Sequence, residues 1–142
     1  MTYAPASNAY QIKVPEGWSR KEASTSVMFT DKFNAIQVDL VPAASAPTQA
    51  TAQAELQTLA KTVPCFAAAG VSTTTRKAGA VILIKYRAAS APDAVTGKVV
   101  TDDVERYELW HNGTEAVITL SAPRGSDNVD PWKIVTDSFA WR

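Results

Sequence analysis

The side chains that could perform acid–base or nucleophilic chemistry are few and lie far apart in the sequence. His111 is the only imidazole and Cys65 the only thiol. His111 precedes the tight-turn pair Asn112-Gly113, so we expect an exposed turn residue without the base, nucleophile and orienting acid that catalysis requires. Cys65 lies in the apolar run 63–66, which favours a small buried hydrophobe over a reactive thiol. A disulfide to another chain is the alternative for Cys65.

Carboxylates concentrate at two places, and either could offer oxygen ligands to a hard cation such as Ca²⁺. At the first, Asp103 and Glu105 share one face of a predicted strand while Asp102 lies on the other. The second is the loop 124–130, which contains Asp127 but lacks the bidentate glutamate and the alternating spacing of a calcium loop. We expect a solvated sheet face and a turn here, with Asp103, Glu105 and Asp127 as the metal candidates.

Aromatic side chains are the other candidates for function, since the chain has four Trp, four Tyr and four Phe. No basic stripe accompanies them, so the pattern does not favour base stacking on nucleic acid. Packing in a core explains most of them. Trp18, Trp110 and Trp141 are the residues that we expect to contribute to a partner-binding surface. The sequence has no phosphate-binding glycine loop, paired cysteines or nucleophile elbow, and we predict no catalytic residue and no cofactor.

Composition bounds the class of protein. The 14 basic and 14 acidic residues cancel, which argues against nucleic acid as partner and against electrostatic attachment to anionic lipid. Apolar residues make up 46% and charged residues 20% of 142 residues, as in a folded domain rather than a disordered one. One Cys excludes an internal disulfide, and one His excludes a site with several histidines. No stretch approaches the ~20 consecutive apolar residues of a membrane helix.

The chain divides into a flexible segment, residues 1–9, and a single domain, residues 10–142. The segment has no basic start and no apolar run, so it is not a signal peptide. Its small residues suit the tether between a lipid anchor and a folded domain, or an ordinary frayed terminus. Two locations therefore stay open: an extracytoplasmic one, with an export signal and a lipid tether upstream, and a cytoplasmic one.

Alternating and β-branched patterns predict an antiparallel sheet. The continuous apolar run 81–84 is typical of a central strand covered on both faces. Asn112-Gly113 predicts a two-residue hairpin turn, and imperfect alternation predicts a bulge near Glu105 or Arg106. The predicted strands are Tyr10–Val14, Ser26–Thr30, Ala35–Val41, Val71–Ala78, Ala80–Ala88, Val99–Trp110 and Glu115–Ser121.

Two segments change to a helical period. Over 49–62 the apolar residues recur every three or four positions, with Thr48 as N-cap and Pro64 ending the helix. The last helix is expected to begin with Asp130 as N-cap and Pro131 at its first position. Strands joined mostly by short antiparallel connections, with a helix after each group, predict an α+β fold in which helices flank a central antiparallel sheet.

Three stretches carry a resemblance to a known family. The segments 10–18 (YQIKVPEGW), 105–120 (ERYELWHNG followed by AVITL) and 130–139 (DPWKIVTDSF) resemble the PsbP-like family, named for an extrinsic subunit of photosystem II. The resemblance implies an α/β/α sandwich, a fold also used by a factor that releases nucleotide from the Ran GTPase. It implies no catalytic motif, because members mostly bind proteins or assist assembly.

The resulting hypothesis is a monomeric, non-catalytic module that binds an unknown protein partner or assists assembly. It would be the exported part of a bacterial lipoprotein. One alternative is a small-ligand carrier or enzyme that uses a pocket between sheet and helix, with Asp103, Glu105 and Arg106 as polar groups. The other alternative is a GTPase-binding factor.

Overall fold

Ten strands and two helices build the chain, and short connections pair most strands with their sequence neighbours. The computed structural model describes all 142 residues. In chain order the elements are β1 (Thr2–Tyr3), β2 (Tyr10–Lys13), β3 (Ser19–Glu22), β4 (Ser26–Asp31), β5 (Asn34–Pro42), α1 (Gln49–Thr62), β6 (Ala67–Arg76), β7 (Gly79–Ala89), β8 (Thr101–His111), β9 (Thr114–Pro123), α2 (Val129–Ser138) and β10 (Ala140–Trp141).

The main sheet has seven strands in the order β3-β4-β5-β9-β8-β7-β6, and every neighbouring pair is antiparallel. The β8–β9 hairpin turns at Asn112 and Gly113, whose φ angles are 48° and 80°. Positive φ at both central residues is what a tight hairpin turn needs, and Asn and Gly reach it at the lowest cost. The predicted hairpin is therefore confirmed, and it places β8 and β9 at the centre of the sheet.

One face of the main sheet packs on α2 and on a three-stranded sheet of order β1-β2-β10. This face holds the larger core, a cluster of 19 buried residues. Aromatic rings join the layers: Tyr10 stacks on Phe139 at 5.2 Å, and Tyr3 meets Phe29 edge-on at 5.3 Å. Apolar burial on this scale is the main contribution to the stability of the fold.

The opposite face packs on α1, which lies over β6 and β7. Here Ala52 of the helix and five residues of β7 and β8 form a second core of six buried residues. Val81 and Leu83 belong to the larger core while Ile82 and Ile84 belong to the smaller one, so the prediction of a strand covered on both faces is confirmed. The α/β/α layering predicted from the sequence is likewise confirmed.

The predicted N-cap is correct for α1 and wrong for α2. Thr48 caps α1 as predicted, because its hydroxyl accepts from Thr51 N at 3.2 Å and Thr51 Oγ1 accepts from Thr48 N at 2.8 Å. The prediction that Asp130 caps α2 is wrong: Asn128 is the N-cap, and Asp130 lies in the first turn. A carboxylate in the first turn still favours the helix through its dipole. Neither helix is long and apolar enough to cross a membrane.

The predicted bulge near Glu105 or Arg106 is wrong, because β8 pairs in continuous register with both of its neighbours. The irregularity lies between Ala68 and Gly70 of β6, where Gly70 has a φ of 140°. A glycine tolerates that backbone conformation, and β6 is an edge strand where a bulge interrupts little pairing.

Residues 1–9 contain the short strand β1. Thr2 and Tyr3 pair with β2, and the Tyr3 ring is 5% exposed. The amino group of Met1 donates to Val14 O at 3.2 Å. The burial of Tyr3 against Phe29 gives this short strand a reason to dock that a pattern of small residues does not reveal.

Candidate functional site

The lone imidazole and the lone thiol both lie at the surface. His111 is exposed as predicted, and its ring stacks on Trp141 with 5.4 Å between centroids. The prediction that Cys65 is buried is wrong: it is exposed, in a turn with a φ of 55°. Phe66 takes the apolar position instead and packs on Tyr86 at 5.3 Å. Neither residue has the partners that nucleophilic catalysis requires.

The carboxylates of Asp103 and Glu105 lie on the sheet face that carries α2, and each has a cationic neighbour across the strand. Arg87 Nε donates to Asp103 Oδ1 at 3.1 Å, and Lys85 Nζ lies 3.8 Å from Glu105 Oε2. Tyr107 Oη also donates to Glu105 Oε1 at 2.7 Å. This pair therefore lies on a charge-neutralised sheet face.

The metal candidates Asp103, Glu105 and Asp127 do not form one cluster. Asp127 is exposed in the loop before α2, and the group of acidic residues close enough to share a cation is a different one. Asp102 lies on the other face of β8, 7% exposed, and its Oδ1 has no hydrogen-bond partner. Burial, and secondarily the charge of Asp103, raise the pKa of Asp102.

Arg106 is separated from Asp103 and Glu105 by the alternation of β8, so the three residues proposed as polar groups of one pocket are split between two faces. Arg106 lies on the α1 face. Its Nε donates to Glu108 Oε2 at 3.2 Å, and its Nη2 lies 3.3 Å from Glu55 Oε2. Of the three residues, only Arg106 lies among the convergent charges of the α1 face, whereas Asp103 and Glu105 line a separate cavity with Lys85 and Arg87 on the other face.

Three carboxylates meet on this face, between α1, β8 and β9. We call Glu55, Glu108 and Glu115 the glutamate cluster; one oxygen of each lies within 4.8 Å of the others. The Glu108 side chain is fully buried, whereas Glu55 and Glu115 are half-buried at the rim. Oε1 of Glu108 and Oε1 of Glu115 have no hydrogen-bond partner. A buried carboxylate oxygen without a partner is costly, which sets this cluster apart from the paired carboxylates Asp103 and Glu105 on the other face.

The electrostatics of the cluster reflect this crowding. Burial raises the pKa of Glu108 to about 8, the proximity and charge of Glu55 and the charge of Glu115 add to the effect, and Arg106 opposes it. Burial and the charge of Glu55 also raise the pKa of Glu115. Buried groups with perturbed pKa values concentrate at functional sites, although structural clusters show them too.

The glutamate cluster was not predicted from the sequence, because its members are distant in the chain. Glu55 falls on the polar side of the α1 pattern, and Glu108 interrupts a strand without forming a motif. One signal was present: the Asn112-Gly113 hairpin fixes a register in which Glu108 faces Val117 and Trp110 faces Glu115. That register places both glutamates on one face, two positions apart. The contribution of α1 has no such local signal.

A groove of about 290 Å³ adjoins the cluster, with apolar walls, Glu108 at one side and Trp110 at its mouth. Trp110 is 36% exposed, and its indole N–H donates to Ala43 O at 2.9 Å, which holds the segment before α1 against the hairpin.

A wider groove of about 710 Å³ lies on the opposite face, at the carboxyl end of the chain. We call it the terminal groove. It runs between the end of α2, β10 and the turn between β6 and β7. The lining residues are Lys13, Lys77, Ala78, His111, Ile134, Asp137, Ser138, Phe139, Ala140 and Trp141.

The three tryptophans predicted to form a partner surface do not form one patch. Trp18 and Trp141 are half-buried against the larger core. Trp110 lies on the other face of the sheet, because it alternates with His111, on which Trp141 stacks. Trp141 alone of the three lines the terminal groove.

No family model and no curated protein sequence matches the chain. Solved structures do match it over its whole length. The cyanobacterial PsbP protein CyanoP from Synechocystis is similar with a TM-score of 0.71 at 15% identity, covering 100% of this chain and 92% of that one. The chain has the PsbP-like fold.

Two further structures share this fold. The Ran-binding protein Mog1p from Saccharomyces cerevisiae has a TM-score of 0.64 at 12% identity, covering 99% of this chain and 94% of that chain. LpqN from Mycobacterium tuberculosis, described as involved in cell envelope biogenesis, has a TM-score of 0.55 at 16% identity, with 99% and 88% covered. The resemblance seen in the sequence is therefore confirmed at the level of the PsbP-like fold, which is shared by proteins with different described roles.

Proposed function

We propose that the chain is a protein-binding module that holds an acidic, partly apolar segment of a partner protein in the terminal groove. The observation that carries the proposal is the exposure of apolar surface inside an open concave site. Ile134 is 67% exposed on the rim, beside the aromatic ring of Trp141. Apolar and aromatic surface in a concave site provides the binding energy in many protein interfaces.

The charges of the groove favour an acidic segment. Lys13 and Lys77 are exposed along its wall. The one carboxylate in the groove, Asp137, accepts from Lys133 Nζ at 2.6 Å, so its charge is already compensated. Unpaired lysines around an apolar centre increase the association rate and the specificity for an acidic partner.

The shape of the groove favours a chain segment over a small metabolite. The groove is open to solvent, and its volume of about 710 Å³ has room for several side chains. Small-molecule sites typically enclose most of their ligand, which this groove does not. The short strand β10 forms one wall and ends the small sheet, so a partner can also reach unpaired backbone there.

The comparisons give this proposal general support. One protein with the PsbP-like fold is described as Ran-binding and another as involved in cell envelope biogenesis. We extend the proposal to a monomer that works outside the cytoplasm behind a lipid tether. Fractionation of cells that express the natural gene tests this extension: recovery in the membrane or periplasmic fraction supports it, and recovery only in the cytosol contradicts it.

Site-specific photo-crosslinking in the source cells tests the binding function. A photoreactive amino acid at Ile134 is expected to give a discrete product with one protein, identifiable by mass spectrometry. The same residue at Val95, which is 92% exposed but remote from the groove, is the control for exposure. Equal products from both positions, or no product at Ile134, would contradict the proposal.

Charge reversal then tests the electrostatic part. We expect K13E/K77E to abolish the Ile134 product, because two groove lysines become repulsive to an acidic segment. The matched double reversal K21E/K98E changes net charge equally at exposed positions outside the groove and should leave the product unchanged. Equal losses in both variants would show that only net charge matters.

A further inference from the structure

The glutamate cluster lies on the α1 face and plays no part in the terminal groove. One oxygen from each of three carboxylates falls within 4.8 Å of the others, which is the span that oxygens around a single ion occupy. Ca²⁺–oxygen distances are roughly 2.3–2.6 Å, so an ion at the centre reaches all three. The donors come from three separate elements, so the site exists only in the folded chain.

A second observation distinguishes this cluster from ordinary surface acids. The Glu108 side chain is fully buried, and its Oε1 has no hydrogen-bond partner. Glu115 Oε1 is also shielded from solvent without a partner. Buried oxygens of this kind are normally satisfied by a donor, an ordered water or an ion.

The formal charge of the site points the same way. Three carboxylates face one guanidinium, that of Arg106, which contacts Glu108 at 3.2 Å and Glu55 at 3.3 Å. When all three carboxylates are ionised, two negative charges are left without a counter-charge in a partly buried site. A divalent cation supplies the missing charge.

We propose that the glutamate cluster binds a hard divalent cation, Ca²⁺ in preference to Mg²⁺. All the donors are carboxylate oxygens, which excludes the nitrogen and sulfur sets preferred by Zn²⁺ and Cu⁺. Arg106 already contacts one oxygen of Glu55 and one of Glu108, so the three carboxylates leave up to four oxygens for the ion. Ca²⁺ tolerates such an incomplete and irregular set, whereas Mg²⁺ requires a near-octahedral one. Glu55 and Glu115 at the rim provide the entry path, and Arg106 holds the Glu55 and Glu108 carboxylates in place.

Terbium luminescence measures occupancy of this site directly, because Tb³⁺ replaces Ca²⁺ and is excited through a nearby indole. Trp110 faces Glu115 in the strand register and lines the groove beside Glu108. We expect saturable luminescence on addition of TbCl₃ under tryptophan excitation, and its displacement by CaCl₂ with a Kd on the order of 10⁻⁴ M, the range of extracellular calcium modules. MgCl₂ should displace it more weakly.

The variant E55Q/E115Q removes two ligands at the half-buried rim, so the fold should persist. We expect at least a tenfold loss of Ca²⁺ affinity by isothermal titration calorimetry. The matched control D103N/E105Q removes two carboxylates from the opposite face of the sheet, both of them sequence-predicted metal candidates, and should bind Ca²⁺ as the parent does. W110F should lose most of the luminescence while its calorimetric affinity stays within twofold.

Three results would overturn the proposal. The first is no saturable heat and no displacement of Tb³⁺ luminescence up to about 10 mM CaCl₂, well above the Kd of the weakest biological calcium sites. The second is equal affinity for E55Q/E115Q and the parent. The third is loss of binding in D103N/E105Q with retention in E55Q/E115Q, which would place the cation on the other face. Crosslinking at Ile134 does not depend on these outcomes, so the cation site and the partner-binding function of the terminal groove are tested independently.

Discussion

The two faces of the main sheet differ in how much apolar surface they bury. The face toward α2 carries 19 buried residues, whereas the face toward α1 carries six. On the larger side the charged residues are exposed and paired, as in Asp103 with Arg87. On the smaller side Glu108, a fully buried glutamate, lies at the margin of the apolar contacts. The face toward α2 therefore gives the fold most of its stability. The face toward α1 contains a buried charged residue, Glu108, that does not contribute to apolar packing.

The difference follows from the area that each layer covers. A small sheet and α2 together cover the first face, but α1 is a single helix over β6 and β7. Met28 of β4, 37% exposed, shows that the sheet beyond α1 is open. Glu108 lies at the edge of the helix, where burial is nearly complete but water and ions can approach. A binding site is more easily accommodated at such an edge than inside a close-packed core.

The largest effect expected from this comparison is on stability, when the same truncation is made on each face. Phe29, 0% exposed, lies in the larger core, while Phe66 is half-buried beside α1. We expect F29A to lower the free energy of unfolding by about 3–5 kcal/mol and F66A by about 1–2 kcal/mol, because the second site leaves a smaller cavity and less lost burial. Urea denaturation measures both. Equal losses would contradict the division of the molecule into a stabilising face and a weaker one.

The next largest effect concerns the charges beside α1. Removing Arg106 leaves three crowded carboxylates without their cationic neighbour, so we expect R106Q to cost about 2–3 kcal/mol in metal-free buffer. The double variant R106Q/E108Q removes one carboxylate as well and should recover at least half of that loss. A double-mutant cycle in urea gives the coupling. Additive losses would show that Arg106 contributes packing rather than charge compensation.

A smaller effect on stability, which depends on pH, distinguishes Asp102 on one face of β8 from Asp103 on the other. Asp102 is buried on the α1 face, with Asp103 as its charged neighbour, and Lys32 lines the same cavity. Because its pKa is raised in the folded state, that state holds a proton which the unfolded chain releases, and stability therefore falls as the pH rises above about 4.

The matched pair of amides tests this dependence. D102N removes the cost of ionising a buried carboxyl group. We therefore expect the free energy of unfolding to increase by about 1 kcal/mol at neutral pH, and the increase to disappear below about pH 4. D103N loses the exposed ion pair with Arg87 and should cost less than about 1 kcal/mol. Urea denaturation from pH 4 to pH 8 separates the two. A gain from D102N that is independent of pH would rule out the raised pKa as its cause.

Local signals in the sequence predicted the elements that local contacts determine. The Asn112-Gly113 hairpin and the Thr48 cap each depend on residues within a few positions, and both were found correctly. Strands β1 and β3 were missed, because Ser19–Glu22 is polar and exposed and Thr2–Tyr3 has only two residues. Such strands form by pairing with an existing edge, for which their own sequence gives no pattern.

The candidate sites were harder to predict than the fold, since each depends on residues that only tertiary structure brings together. The glutamate cluster needs Glu55 from α1 beside a hairpin more than 50 positions later in the chain. Asp103 and Glu105 were predicted as metal candidates because they are close in the sequence and share one face of a strand. Half-buried carboxylates on one face of a strand are easily neutralised by cations of the adjacent strand, and Lys85 and Arg87 do so here.

The smallest expected effect concerns Cys65, at which the sequence-based prediction of burial was wrong. Its exposure predicts stoichiometric reaction with a thiol reagent in the folded protein, without denaturant and at the rate of a free surface thiol. Its φ of 55° is a left-handed conformation that costs most residues about 1 kcal/mol, so C65G should change the free energy of unfolding by no more than about 0.5 kcal/mol, in the stabilising direction. C65V, the control, places a β-branched residue in the same conformation and should destabilise by about 1 kcal/mol. A thiol that reacts only after unfolding, or a C65V variant that is more stable than C65G, would contradict the exposure of Cys65. Either result would mean that Cys65 is buried in the smaller core beside α1.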